Sequence, residues 1–146
     1  VGSWVADNES FGSVFAGFAA AGGGAIELGE VTGAIRVDVA SDGAVVTSFD
    51  DWKLTATIPG MGTAEISETG VETHTITFAD DGSYTVTSTE IGSAQLVSFD
   101  GAVFMDGPSP EAVFHGASTF SCAADRLDVT IPGQLGDWVA IFTREG

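Results

Sequence analysis

The chain has 146 residues, 44 % of them hydrophobic, and sets 21 acidic side chains against four basic ones for a formal net charge of −17. That length supports one domain, residues 1–146, with a core that needs no covalent staples, and the apolar share excludes a disordered chain despite the charge. So acidic a surface repels nucleic-acid phosphates and anionic membranes, which excludes a nucleic-acid partner.

The carboxylates are spread along the chain with no long acidic run, the pattern of a solvated surface on a secreted or salt-adapted protein. Cys122 is the sole cysteine, so no internal disulfide forms. No run of eighteen apolar residues occurs, and no membrane-spanning segment is expected. The chain starts at Val1 without a signal-peptide pattern. Export is the expectation this favours, to the medium or to the cell envelope as a lipoprotein. Oligomeric state has no signature in the sequence.

In chain order, residues 2–6 read as a first strand. A helix follows, with Ser10 as N-cap and Phe11, Val14, Phe15, Phe18 and Ala19 on one face; Gly22-Gly23-Gly24 ends it. From Gly33 the period becomes two. Ile35, Val37 and Val39 lead to a hairpin turn at Asp42-Gly43, followed by Val45, Thr47 and Phe49. Asp50-Asp51 reads as another turn. Trp52, Leu54, Ala56 and Ile58 alternate up to Pro59-Gly60. Residues 71–78 and 83–89 flank Asp80-Asp81-Gly82 as a hairpin, and residues 93–99 end at Asp100-Gly101. Residues 106–110 read as a loop. Strands resume at 117–122, at Leu127, Val129 and Ile131, and at 138–144. The pattern predicts an all-β, up-and-down antiparallel meander barrel of eight to ten strands with one short helix after the first strand.

Gly2-x-Trp4 in the first strand, the early helix, the strand meander and Arg144 ending the last strand resemble the calycin superfamily of lipocalins and fatty-acid-binding proteins. The early helix is most similar to the fatty-acid-binding branch or to bacterial lipocalin-like domains. The resemblance implies that Trp4 packs at the closed end of the barrel with Arg144 over its indole ring, a structural clasp. It also implies a ligand inside the barrel. The chain lacks the paired arginines and tyrosine with which the fatty-acid-binding branch holds a carboxylate. Independently of any family, a guanidinium stacks well on an indole.

Candidate ligand contacts follow from the alternation. His74 shares a face with Ile76 and Phe78, where it serves a ligand or is satisfied by a neighbouring hydroxyl. Trp52, Phe78, Tyr84 and Phe120 belong to an aromatic set, with Phe99, Phe104 and Phe114, that lines a cavity or fills a core. Phe15 lies on the helix, a natural lid. His74 and His115 lack metal-ligand spacing, so no metal site is expected. Neither histidine comes with a pocket pattern for haem, and no cofactor is expected. Cys122 has no catalytic partner in sequence and reads as a buried, inert thiol. The paired aspartates at 50–51 and 80–81 read as turn residues. No catalytic residue is assigned.

Three functional readings follow. The first is a non-enzymatic binding barrel for a small hydrophobic or amphipathic ligand. The second is an interaction domain of an exported lipoprotein that uses its acidic outer surface. The third is a calycin-type enzyme with His74 and Tyr84 as an acid–base pair.

Overall fold

The computed structural model describes residues 1–13, 26–108, 119–132 and 137–146. Nine strands form a single antiparallel sheet curled into a half-barrel: β1 (Gly2–Ala6), β2 (Glu27–Val39), β3 (Ala44–Ile58), β4 (Gly62–Phe78), β5 (Tyr84–Phe99), β6 (Ala102–Pro108), β7 (Thr119–Cys122), β8 (Arg126–Ile131) and β9 (Trp138–Arg144). Their order is β6-β5-β4-β3-β2-β1-β9-β8-β7. Consecutive strands pair throughout, save β6 and β7, which form the two edges. First and last strands are neighbours, with Trp4 opposite Arg144 and Ala6 opposite Phe142. An isolated bridge from Ser83 to Thr119 links the start of β7 to the β4–β5 turn.

The strands are longer than alternation alone suggests, because their irregularities are bulges and not turns. Asp50-Asp51 does not reverse the chain. β3 continues through it, with a register shift between Phe49 and Trp52 and Asp51 at a φ of 46°. The extra residue moves the buried set from Val45, Thr47 and Phe49 to Trp52 and Leu54, so both halves of β3 face the core. Gly33 of β2 lies opposite this bulge: its φ is 75°, and a Cβ there would stand 2.6 Å from the Asp50 carbonyl oxygen. The expected strands at 83–89 and 93–99 are one strand, β5. Residues 106–108, expected in a loop, close β6.

Helical residues 8–13 follow β1. The N-cap is Asp7, not Ser10: Asp7 Oδ1 accepts from the amides of Glu9 at 2.9 Å and Ser10 at 3.2 Å. Ser10 is instead a bridge. Its hydroxyl donates to the Asp7 carbonyl at 2.9 Å and accepts from the Ile141 amide at 3.2 Å, tying the helix to β9. Phe11 packs edge-on against Phe142 with ring centroids 5.5 Å apart. Asn8 accepts from Trp52 Nε1 at 3.3 Å and donates to the Gly33 carbonyl at 3.1 Å. Of the expected helix face, Val14, Phe15, Phe18 and Ala19 lie outside the described residues.

The core sits on the inner face: Trp4, Ile35, Val37, Val45, Phe49, Trp52, Leu54, Val129 and Phe142 are all buried. All four basic side chains lie outside it and are engaged. Arg36 pairs with Asp50 at 2.7 Å and Glu145 at 2.5 Å, Lys53 with Glu65 at 3.3 Å, and Arg126 with Asp128 at 2.6 Å. Arg144 lies with Cζ 5.6 Å from the Trp4 ring centroid and donates to the Ala124 carbonyl at 3.2 Å. Among the described residues no helix is long and apolar enough to cross a membrane.

Candidate functional site

Two features of the inner face stand out, an apolar pocket at one end and a polar row in the middle. The pocket lies at the end carrying Trp4 and Arg144. Its volume is about 250 Å³. Trp4 and Leu127 join it to the core. Val39, Phe78 and Phe120 form its apolar wall, and the β2–β3 turn closes one side through Ala40, Ser41 and Gly43. The Phe78 and Phe120 rings meet edge-on with centroids 4.7 Å apart, and Phe78 stands 6.5 Å from the buried Tyr84 ring. Phe78 is 42 % exposed although it continues the buried alternation of β4, so the ring is offered to the opening. The amide of Phe120 donates to the Gly82 carbonyl at 2.9 Å, which holds β7 against the β4–β5 turn and so keeps the two rings together.

The polar row comes from the period of two along β4. Glu68, Gly70, Glu72, His74, Ile76 and Phe78 share one face. The first three side-chain positions are unusual for an interior: Glu68 and His74 are buried, and Glu72 between them is fully so. Gly70 leaves the room this needs, since a Cβ there would lie 2.6 Å from the Gly92 carbonyl oxygen, and its φ is 101°. Opposite it on β5, Ser93 donates to Glu72 Oε1 at 2.8 Å. Gln95 donates to Glu68 Oε1 at 3.0 Å. His74 Nδ1 is 3.1 Å from Thr89 Oγ1, and its Nε2 is 3.5 Å from Glu72 Oε2. Thr47 faces Glu72 across the β3–β4 ladder. Among the described residues, Thr47 Oγ1 and Glu72 Oε2 make no hydrogen bond. Glu72 and His74 stand side by side in this row. Both side chains are fully buried, however, so no substrate reaches them in this conformation. The network orders β4 against β5.

The candidate residues therefore divide. Phe78 and Phe120 line the apolar pocket together, with Tyr84 against Phe78. Trp52 and His74 are buried deeper in the core and do not line it. Trp4, implied as a clasp with Arg144, also forms a pocket wall. Tyr84 pairs with Phe78 in register, four residues along β4 from His74, or about 14 Å of strand; Glu72 lies beside His74, its Oε2 3.5 Å from the ring Nε2. Cys122, expected to be buried, is exposed at the pocket edge. Phe104 is 76 % exposed on β6, edge-on to Phe99 with ring centroids 5.7 Å apart. Phe15, Phe114 and His115 lie outside the described residues. Among those described, no group of three or more His, Cys, Asp or Glu side chains is placed to hold a metal.

Sequence reasoning overlooked Glu72, Glu68 and Ser93. The signal was present, since Glu72 sits two residues from His74 on a strand of period two. A second apolar pocket of about 160 Å³ lies at the other end, among Leu28, Leu54, Ala56, Ile58, Ile66 and Phe99.

The fold and site define a class by architecture, an all-β half-barrel with apolar pockets along its inner face. No protein-family model, curated protein or solved structure matches the chain.

Proposed function

We propose that this protein is a non-enzymatic binding half-barrel that takes a small hydrophobic or amphipathic molecule in the pocket between Phe78, Phe120 and Trp4. The observation that carries the reading is the pocket itself: apolar walls, two aromatic rings in edge-on contact and a volume of about 250 Å³ at the end of the core. Ligand sites are typically concave, apolar and few per molecule. The calycin-like layout of Trp4, the helix, the meander and Arg144 belongs to the same reading. The reading gives Glu72 and His74 no part in binding, since both are buried in the core and neither lines the pocket.

Titration with a neutral apolar dye such as N-phenyl-1-naphthylamine tests this. The expected result is saturable binding, displaced by dodecanol and weakened about tenfold by Phe78→Ala or Phe120→Ala, the scale of one lost aromatic contact. The same loss with Trp52→Phe, or no saturable binding to the folded protein, overturns the assignment.

A further inference from the structure

Three turns surround the pocket, and each carries acid. Asp42 sits between Ser41 and Gly43, both of which line the pocket. Phe78 leads directly into the turn that bears Asp80 and Asp81, and Phe120 is bonded to Gly82 of that turn. Asp125 lies between the lining residues Cys122 and Leu127. All four carboxylates are exposed. Hydrogen bonds from the Ser83 hydroxyl and amide hold the Asp81 carboxyl below its ordinary range, so it stays ionised at neutral pH. Two arginines stand at the same end. Arg126 is matched by Asp128 at 2.6 Å, and Arg144 is laid over Trp4 and bonded to the Ala124 carbonyl. With Asp128 counted, the five carboxylates named here outnumber these two arginines by three.

An apolar hole selects a chain, and a charged rim selects the head group on that chain. We propose that the ligand is a cationic amphiphile, an alkyl or aryl chain ending in a protonated amine or a quaternary ammonium. The proposal rests on the binding reading above and adds the ligand's charge to it. The tail lies in the pocket against the Phe78 and Phe120 rings, and the head remains among Asp42, Asp80, Asp81 and Asp125, in water but inside their summed field. A carboxylate or phosphate head meets the opposite field. The net charge of −17 acts in the same direction at longer range and steers cations towards the surface.

The test is displacement of the neutral dye by dodecyltrimethylammonium, dodecanol and dodecanoate, each below its micelle concentration, at pH 7. At about 20 mM salt the ammonium is expected to bind about tenfold more tightly than the alcohol, and the carboxylate more weakly than either. The ammonium's advantage shrinks towards parity at about 0.5 M salt, where the Debye length falls to a few ångströms. Combined Asp42→Asn, Asp81→Asn and Asp125→Asn substitutions, whose amides keep the turn acceptors, lower ammonium affinity and leave dodecanol unchanged. Dye binding with equal affinity for the three heads, or with dodecanoate tightest, overturns the cationic assignment while the binding pocket stands. Failure of the dye itself to bind overturns both.

Discussion

The inner face has two halves of opposite chemistry. Around β1, β2, β8 and β9 it buries Trp4, Ile35, Val37, Val129, Ala140 and Phe142, all apolar. Along β4 and β5 it buries Glu68, Glu72, His74 and Ser93. The first half is held by area removed from water, which is non-directional and tolerant of small shifts. The second is held by hydrogen bonds of fixed geometry between two long strands, which tolerate neither shift nor deletion. The apolar half supplies cohesion, and the polar half fixes the register of β4 on β5. The pocket lies at one end of the apolar half, with Phe78 of β4 as its link to the other.

The contrast is open to direct attack. Phe142→Ala removes a fully buried ring from the apolar half and is expected to lower unfolding free energy by about 3–5 kcal/mol in urea. In the polar half, Glu72→Ala strips Ser93 of its acceptor and His74 of its neighbour, at about 1–3 kcal/mol. The double variant Glu72→Leu with His74→Leu should lose less than the sum of its singles, because each single leaves the other member of the pair buried without its neighbour and the double leaves neither. A strictly additive cycle would mean that the two residues do not act together. At the boundary between helix and sheet, Asp7→Ala removes the N-cap and costs about 1 kcal/mol, read as a lower Tm, whereas Asp7→Asn costs little. Smallest is the outer surface: Lys53→Ala breaks the exposed pair with Glu65 and should change stability by no more than about 0.5 kcal/mol. A larger loss there would mean that the lysine stem packs on the sheet.

Sequence alone reached the all-β meander, the early helix and the pairing of the first strand with the last, since alternation and Asp-Gly turns are local signals. What it misjudged was continuity. An Asp-Asp step looks the same whether it turns a hairpin or bulges a strand, and only the partner strand decides. At Asp50-Asp51, residues Glu68 and Gly70 of β4 run on opposite it, so the strand continues. The helix cap was misplaced for a similar reason. Asp7 and Ser10 are both good capping residues, and the contact between Ser10 and Ile141, 131 positions away, decides between them. The pocket was half legible: Phe78 and Phe120 were singled out, but their meeting depends on β7 reaching the β4–β5 turn, a long-range fact. His74 was placed on the inner face, whereas Glu72 went unnoticed because a carboxylate is not an expected interior residue.

The missing pairing between β6 and β7 has a topological consequence. Everywhere else each strand pairs with its neighbour in sequence, and β9 pairs with β1, so the order of strands is a ring cut at a single point. The chain's own ends fall inside that ring, with Trp4 opposite Arg144. A circular permutant that joins the end of β9 to the start of β1 by a short linker, and opens the chain between β6 and β7, preserves every strand pairing in the sheet. It places the contact between Trp4 and Arg144 in the middle of a continuous hairpin formed by β9 and β1.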